Sequence, residues 1–266
     1  MESLGGFYGQ ALLLAIGVTR VATAFVVLRI LSADTVPPLV RNSLFLGFGL
    51  IVLALQPDVF ALHLTTPGWI ALFLREALIG LIVGFFFGTI LWAFESAGQI
   101  IDAKSGATMA QIVDPLTGAQ TSLNGALLGR LANFVFMFSG GLLLLVTALL
   151  DSYAVWPIAA AAPSLKPGGV ALFEGEFSRL MTLAIMFSAP AVVVLTVVEA
   201  GMGLVNRFAP QLNVFSMSLS IKAWLSTLVI LATAGLLVQT LVNEVFARPE
   251  AIRHVLQVLG RPDHPG

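Results

Sequence analysis

Six stretches of the chain are apolar enough to approach a membrane span, and polar positions fall both inside them and between them. The first runs from Phe7 to Leu28 with Arg20 inside it, and the second, Ser43 to Leu55, is short at 13 residues. The third, Trp69 to Phe94, carries the adjacent pair Arg75 and Glu76 and then 18 uncharged positions from Ala77. The fourth runs from Leu131 to Leu150 without a charge, the fifth from Leu180 to Val198 with Pro190 in its middle, and the sixth from Ala223 to Val242. A spanning helix needs roughly 20 apolar residues, so the pattern predicts an all-α integral membrane protein. More polar stretches at 95–122, 151–179 and 199–222 separate the later segments. Residues 1–243 read as one hydrophobic helical domain. Residues 244–266, with mixed charges and prolines near the end, read as a polar tail outside the apolar body.

The charge pattern does not orient these segments. With the termini outside, Arg29, Arg41, Lys104, Arg207 and Lys222 fall inside, while Lys166, Arg179, Arg248, Arg253 and Arg261 fall outside. The positive-inside rule needs a bias, and five against five supplies none. Charges at mid-bilayer cost at least ~2.5–3.5 kcal/mol each. Short segments, internal charges and the missing bias together predict helices packed on protein as much as on lipid.

Composition sharpens this picture. Of 266 residues, 58% are hydrophobic and only 10% charged, against about a quarter charged in an average globular chain. So few charges cannot cover a soluble body of this size. The net charge of −1, with basic residues scattered singly, gives no basic patch for nucleic acid. The absence of cysteine excludes disulfides and thiolate chemistry. The first residues lack the basic start of a secretory signal and read as a retained membrane segment.

Gly80, Gly84 and Gly88 recur every four residues, which puts them on one helical face where a neighbouring helix can approach closely. Arg75 and Glu76 point about 100° apart on a helix, so each is expected to find its partner elsewhere, or to lie at the helix entrance with the arginine snorkelling. Glu95, Gln99 and Asp102 form one polar stripe that lines an aqueous path, meets a polar helix, or is simply the wet end of the segment. The stretch Lys104 to Ser122 that follows carries turn chemistry at Asp114-Pro115 and Thr117-Gly118, and a loop of this length is often functional. Glu199, Arg207 and Lys222 bracket a second polar stretch in which Gln211 and Asn213 offer amides to partners, and Pro210 ends a helix at or before Ala209. His63, His254 and His264 lie far apart. No zinc spacing, nucleophile elbow, phosphate loop or dinucleotide fingerprint appears, so the chain is expected to be no enzyme and to need no cofactor or metal.

The stretch NRFAPQLNVFSMSLSIK, Asn206 to Lys222, resembles a signature of the type III secretion export-apparatus family, which comprises the injectisome protein SctT and its flagellar counterpart FliR. FLREALIGLIVGF from Phe73, AGQIIDAKSG from Ala97 and DPLTGAQTS from Asp114 support it, in order along residues 73–222. GGLLLLVTALLDSYAVWP, Gly140 to Pro157, is more similar to the injectisome branch. The resemblance implies kinked helical hairpins packed in a hetero-oligomeric export gate of the bacterial inner membrane, at the base of a secretion machine. The implied partners are SctR-like and SctS-like subunits and an SctU-like switch protein. The implied function is a pore for unfolded secreted proteins. It also implies a plug loop, here roughly Gly106–Ser122, in which Met109, Ile112, Val113 and Pro115 supply apolar closure beside Asp114, and Gly106 and Gly118 supply hinges. Two other classes compete: a secondary transporter for a small solute, suggested by intramembrane charges and the Pro190 break, and a passive assembly scaffold.

Overall fold

A computed structural model describes residues 2–30, 36–61, 65–107, 122–159, 167–211 and 213–260. Among these residues the chain is helical throughout, without strands: α1 (Glu2–Leu28), α2 (Pro38–Leu55), a 3-10 turn (Pro57–Ala61), α3 (Thr66–Ser105), α4 (Leu123–Phe138), α5 (Gly141–Val155), α6 (Pro167–Phe208) and α7 (Val214–Gly260).

Local chemistry sets several boundaries. Pro38 stands at the first position of α2, where a missing N–H costs nothing and φ is already helical. Ser122 caps α4 by accepting from the Gly125 N–H. The segment ahead of Pro210 stops at Phe208, as the proline requires.

Elsewhere the elements outrun or split the apolar segments. The second segment is lengthened to the 18 residues of α2. The fourth, Leu131 to Leu150, is not one helix: α4 ends at Phe138 and α5 begins at Gly141, with Gly140 at φ +88° between them. Only glycine enters that left-handed region without steric cost, so an uncharged run conceals a turn. The tail expected to lie outside the apolar body from residue 244 continues α7, and Val245, Arg248, Ile252 and Val255 are buried. Glu250 and Arg253 occupy the wet side of this helix, while Arg248 lies on the side that packs. Prolines lie inside α6 at 190 and inside α7 at 249 without ending either helix.

The chain divides into two compact units. Unit 1 is Met1–Gly88, Gly141–Glu174 and Phe246–Gly266; unit 2 is Thr89–Gly140 and Gly175–Val245. The core of unit 1 gathers Leu13, Ile16, Val52, Leu53, Val59, Leu72, Tyr153 and Ile158. Gly17 and Gly49 let α1 and α2 meet backbone to backbone, and Phe25 lies against Phe45 and Phe48. In unit 2, Phe94 meets Phe187 at 4.4 Å between ring centroids, and Ile101, Leu128, Phe136, Leu195 and Leu241 are buried.

Five helices are long and apolar enough to cross a membrane, or up to six if α4 and α5 count as one span. Of its apolar window, α3 has 72% buried, whereas α2 and α7 have 22% each. The first is an interior helix. The other two present Leu39, Leu50, Trp224 and Leu236 outward, a surface that suits lipid or another subunit and not water.

Candidate functional site

Helices α1 and α3 of unit 1 bring charges into its interior, where α5 and the residues after it receive them. Arg20 of α1 and Glu76 of α3 are fully buried, and they pair at 2.8 Å. Arg20 also donates to Ser152 Oγ at 2.9 Å and to the Trp156 carbonyl at 2.9 Å. Its guanidinium carbon stands 3.8 Å from the centre of the Tyr153 ring, and the Tyr153 hydroxyl donates to the Gly17 carbonyl at 3.3 Å.

Arg75 turns back along its own helix and pairs with Glu76 at 2.8 Å, while its Nη2 also donates to the Ile158 carbonyl at 2.6 Å. Each of the two neighbours thus finds its expected partner elsewhere, Glu76 in Arg20 and Arg75 in the carbonyls after α5, and they also neutralise each other, which their diverging directions did not predict. The flexible arginine stem spans the 100° between them, and burial leaves no aqueous alternative. Nor does Arg75 snorkel: its side chain is 9% exposed. The carbonyls that receive both guanidiniums follow the last turn of α5, the negative end of its dipole, so backbone and carboxylate share the two cations. Arg20 was not among the residues singled out from the sequence. An arginine within an uncharged helix and an acid within another are complementary defects, and that signal was available.

The glycine stripe explains how these charges meet. One turn beyond Glu76, a Cβ on Gly80 would run into the Arg20 carbonyl and Thr23 Oγ1, and one on Gly84 would come within 2.7 Å of the Ala24 carbonyl. The missing side chains let the α1 backbone lie on α3. Gly88 is one further turn along the same helix.

In unit 2 the stripe of Glu95, Gln99 and Asp102 runs along α3 towards α4. A Cβ on Gly125 would meet Gln99, and one on Gly129 would meet Glu95. Asp102 is 2% exposed and gathers three donors: Ser122 Oγ, the Asn124 backbone N–H at 2.9 Å and Asn124 Nδ2 at 2.6 Å. One carboxylate thus binds the start of α4 to the end of α3, the two ends between which the loop runs. Gly106 leaves α3 at φ +81° as a left-handed helix terminus. Met109, Ile112, Val113, Asp114, Pro115 and Gly118 lie outside the described residues.

Beside this junction Glu199 of α6 pairs with Lys104 of α3 at 2.7 Å and with Lys222 of α7 at 3.7 Å. Arg207 and Gln211 are exposed at the α6 terminus and its turn, and Asn213 accepts from the Ser216 N–H at 3.4 Å. Among the described residues, none of these three hydrogen-bonds to the Asp102 cluster. Two further pairs of unit 2 went unmarked in the sequence: Thr89 donates to buried Glu176 at 2.6 Å, and Arg179 grips Glu244 through both Nε and Nη2. No group of His, Cys, Asp or Glu with metal-binding geometry occurs among the described residues.

Asp102→Ala strands three donors at the junction. Each hydrogen bond to a charged acceptor is worth about 1.5–3 kcal/mol, so losing even one raises the opened population about tenfold or more. Limited proteolysis is expected to cut around residues 105–123 at least about tenfold faster. Cleavage at the wild-type rate means the carboxylate does not hold the junction.

The chain matches the family described as bacterial export proteins, family 1, over residues 11–247. It is 34% identical to Yop proteins translocation protein T of Yersinia pestis over 219 residues, 79% of this chain and 81% of the relative. It is 32% identical to surface presentation of antigens protein SpaR of Salmonella typhimurium over 222 residues, 82% of this chain and 81% of the relative. Identity to flagellar biosynthetic protein FliR of Bacillus subtilis is 29% over 187 residues, 70% of this chain and 72% of the relative.

Proposed function

We propose that this chain, which belongs to family 1 of the bacterial export proteins, is a non-enzymatic subunit of a type III protein secretion export gate. It resides in the bacterial inner membrane and builds, with SctR-like and SctS-like subunits, the pore through which unfolded secreted proteins leave. An SctU-like switch protein joins the assembly. The observation that carries this reading is the family match over residues 11–247, which takes in all or part of every helix. Higher identity to translocation protein T and SpaR than to FliR favours the injectisome branch. The outward apolar faces of α2, α6 and α7 suit a subunit whose neighbours are lipid and other hydrophobic helices.

The loop between α3 and α4 is the plug in this proposal. A pore must seal when idle without gripping the chains that pass, and a span of small and apolar residues such as Met109, Ile112, Val113 and Pro115 meets both demands. The Asp102 junction supports the role, because a plug needs a fixed base. Deleting residues 108–121 while retaining Asp102 and Ser122 is expected to leave assembly intact and make the membrane leaky to small solutes. An intact permeability barrier around a correctly assembled deletion overturns the plug. A photocrosslinker at Met109 or Ile112 that captures an arrested substrate separates a gate from a scaffold, and specific binding of a small solute would instead mark a transporter.

A further inference from the structure

We propose that a zwitterionic phospholipid binds in a groove of unit 1 between α5 and the end of α7. The groove is small and open, with a volume of about 80 Å³, room for a few methylene groups of one acyl chain and not for a whole drug-sized ligand. Leu144, Ala148 and Asp151 line it from one face of α5, and Pro249, Ile252 and Arg253 from one face of α7. The walls are apolar, and Ala148 and Ile252 are almost wholly buried, so the filler is hydrocarbon and not a polar metabolite. The two charges are far more open, Asp151 at 45% and Arg253 at 63% exposure. They therefore form the rim.

The rim selects the head group. One carboxylate and one guanidinium stand 3.6 Å apart, complementary to a head group that carries an ammonium and a phosphate a few bonds from each other. A purely anionic head group satisfies Arg253 but sets a negative charge against Asp151. The existing pair is loose and solvent-exposed, so a lipid displaces it at little cost. The groove also opens where lipid is available: α5 is apolar, and the neighbouring Leu143 is 70% exposed. From Leu144 to Asp151 it is only about 10 Å long, room for part of an acyl chain but short for a partner helix.

The test uses the full chain in complex with the subunits that co-purify with it in mild detergent. The complex is mixed with equal amounts of dioleoyl phosphatidylethanolamine and dioleoyl phosphatidylglycerol, and retained lipid is counted by native mass spectrometry. Differences between wild type and variants isolate this groove from other lipid sites. Wild type is expected to retain the ethanolamine lipid over the glycerol lipid by about two- to fivefold, the effect of one exposed ion pair. Asp151→Asn should keep a bound lipid and lose the preference, and Ala148→Trp should remove one lipid altogether. Equal retention of both lipids by wild type, an unchanged preference in Asp151→Asn, or unaltered binding in Ala148→Trp overturns the proposal. So does crosslinking from Thr147, which also lines the groove, that captures a protein chain in place of lipid. If Ala148→Trp fails to assemble, Asp151→Asn on the open rim decides alone. The inference needs only a chain in contact with a bilayer, so it and the export-gate reading fail separately.

Discussion

Replacing Glu76 with alanine is expected to remove most of the folded chain from membranes. The carboxylate is the shared counter-ion of two guanidiniums, one fully buried and one nearly so. Breaking a buried ion pair by deleting one partner costs about 3–5 kcal/mol, because the other charge stays desolvated. Here two cations are left facing each other, against a total stability typically of about 5–15 kcal/mol. Glu76→Gln keeps the shape and an acceptor oxygen while losing the charge, so it should fall between wild type and alanine. The double replacement Arg20→Met with Glu76→Met removes one of the two stranded cations and leaves Arg75 to the backbone carbonyls, so it is expected to recover part of the loss that Glu76→Ala shows. Steady-state level in membranes and thermal unfolding in detergent measure all three. A Glu76→Ala chain at wild-type level and midpoint would show that water or lipid head groups already serve these arginines.

The second large effect is expected of Gly80→Leu. Even the first carbon of the new side chain would overlap the Arg20 carbonyl and Thr23 Oγ1. The obstacle is mainly backbone, so no rotamer relieves it, and α1 must withdraw from α3. Overpacking a core ordinarily costs about 1–3 kcal/mol. Withdrawal here also pulls Arg20 from Glu76 one turn away, so the loss should exceed that range and approach that of Glu76→Ala. Gly84→Leu meets the Ala24 backbone and should behave alike, with complex yield falling as the chain misfolds. Gly235 of α7 is the control, since a Cβ there meets nothing within 4 Å. Gly235→Ala should be neutral or stabilising by up to about 1 kcal/mol. Equal yields for Gly80→Leu and Gly235→Ala would remove the glycine stripe from the account.

The sequence was most informative where one residue type carries its own geometry. Pro210 announced the end of α6, and spacing by four put Gly80 and Gly84 on the face that receives α1. Apolar runs located the helices but not their ends, because polar residues such as Glu95 to Asp102 continue a helix perfectly well when a neighbour accepts them. The turn at Ser139–Gly140 was hidden for the opposite reason: glycine is frequent inside membrane helices, so a lone Gly-Gly in an uncharged run carries little signal. Pairings were least legible of all. That Arg20 meets Glu76, or that Asp102 meets Asn124, depends on which helices are neighbours, and periodicity along one helix is silent about that. The contact between Arg75 and Glu76 was hidden in a different way: their backbone directions diverge, and only the reach of the arginine stem closes the gap.

The Arg20–Glu76 pair also has a history within each molecule's synthesis. The partners are separated by 56 residues, and ribosomes add roughly 5–20 residues per second. For about 3–11 seconds after Arg20 is made, its counter-ion does not exist. Ser152 and the Trp156 carbonyl, which complete its shell, follow 132 and 136 residues after it. During that interval α1 is a helix with an unanswered charge, at an insertion cost of about 2.5–3.5 kcal/mol if it lies at the membrane centre. Translated ahead of every partner of its arginine, α1 is thus among the last of these helices to settle. Until α3 arrives, α1 is best held at the membrane surface or by the insertion machinery, and a pause in translation between residues 20 and 76 would lengthen its exposure to proteolysis.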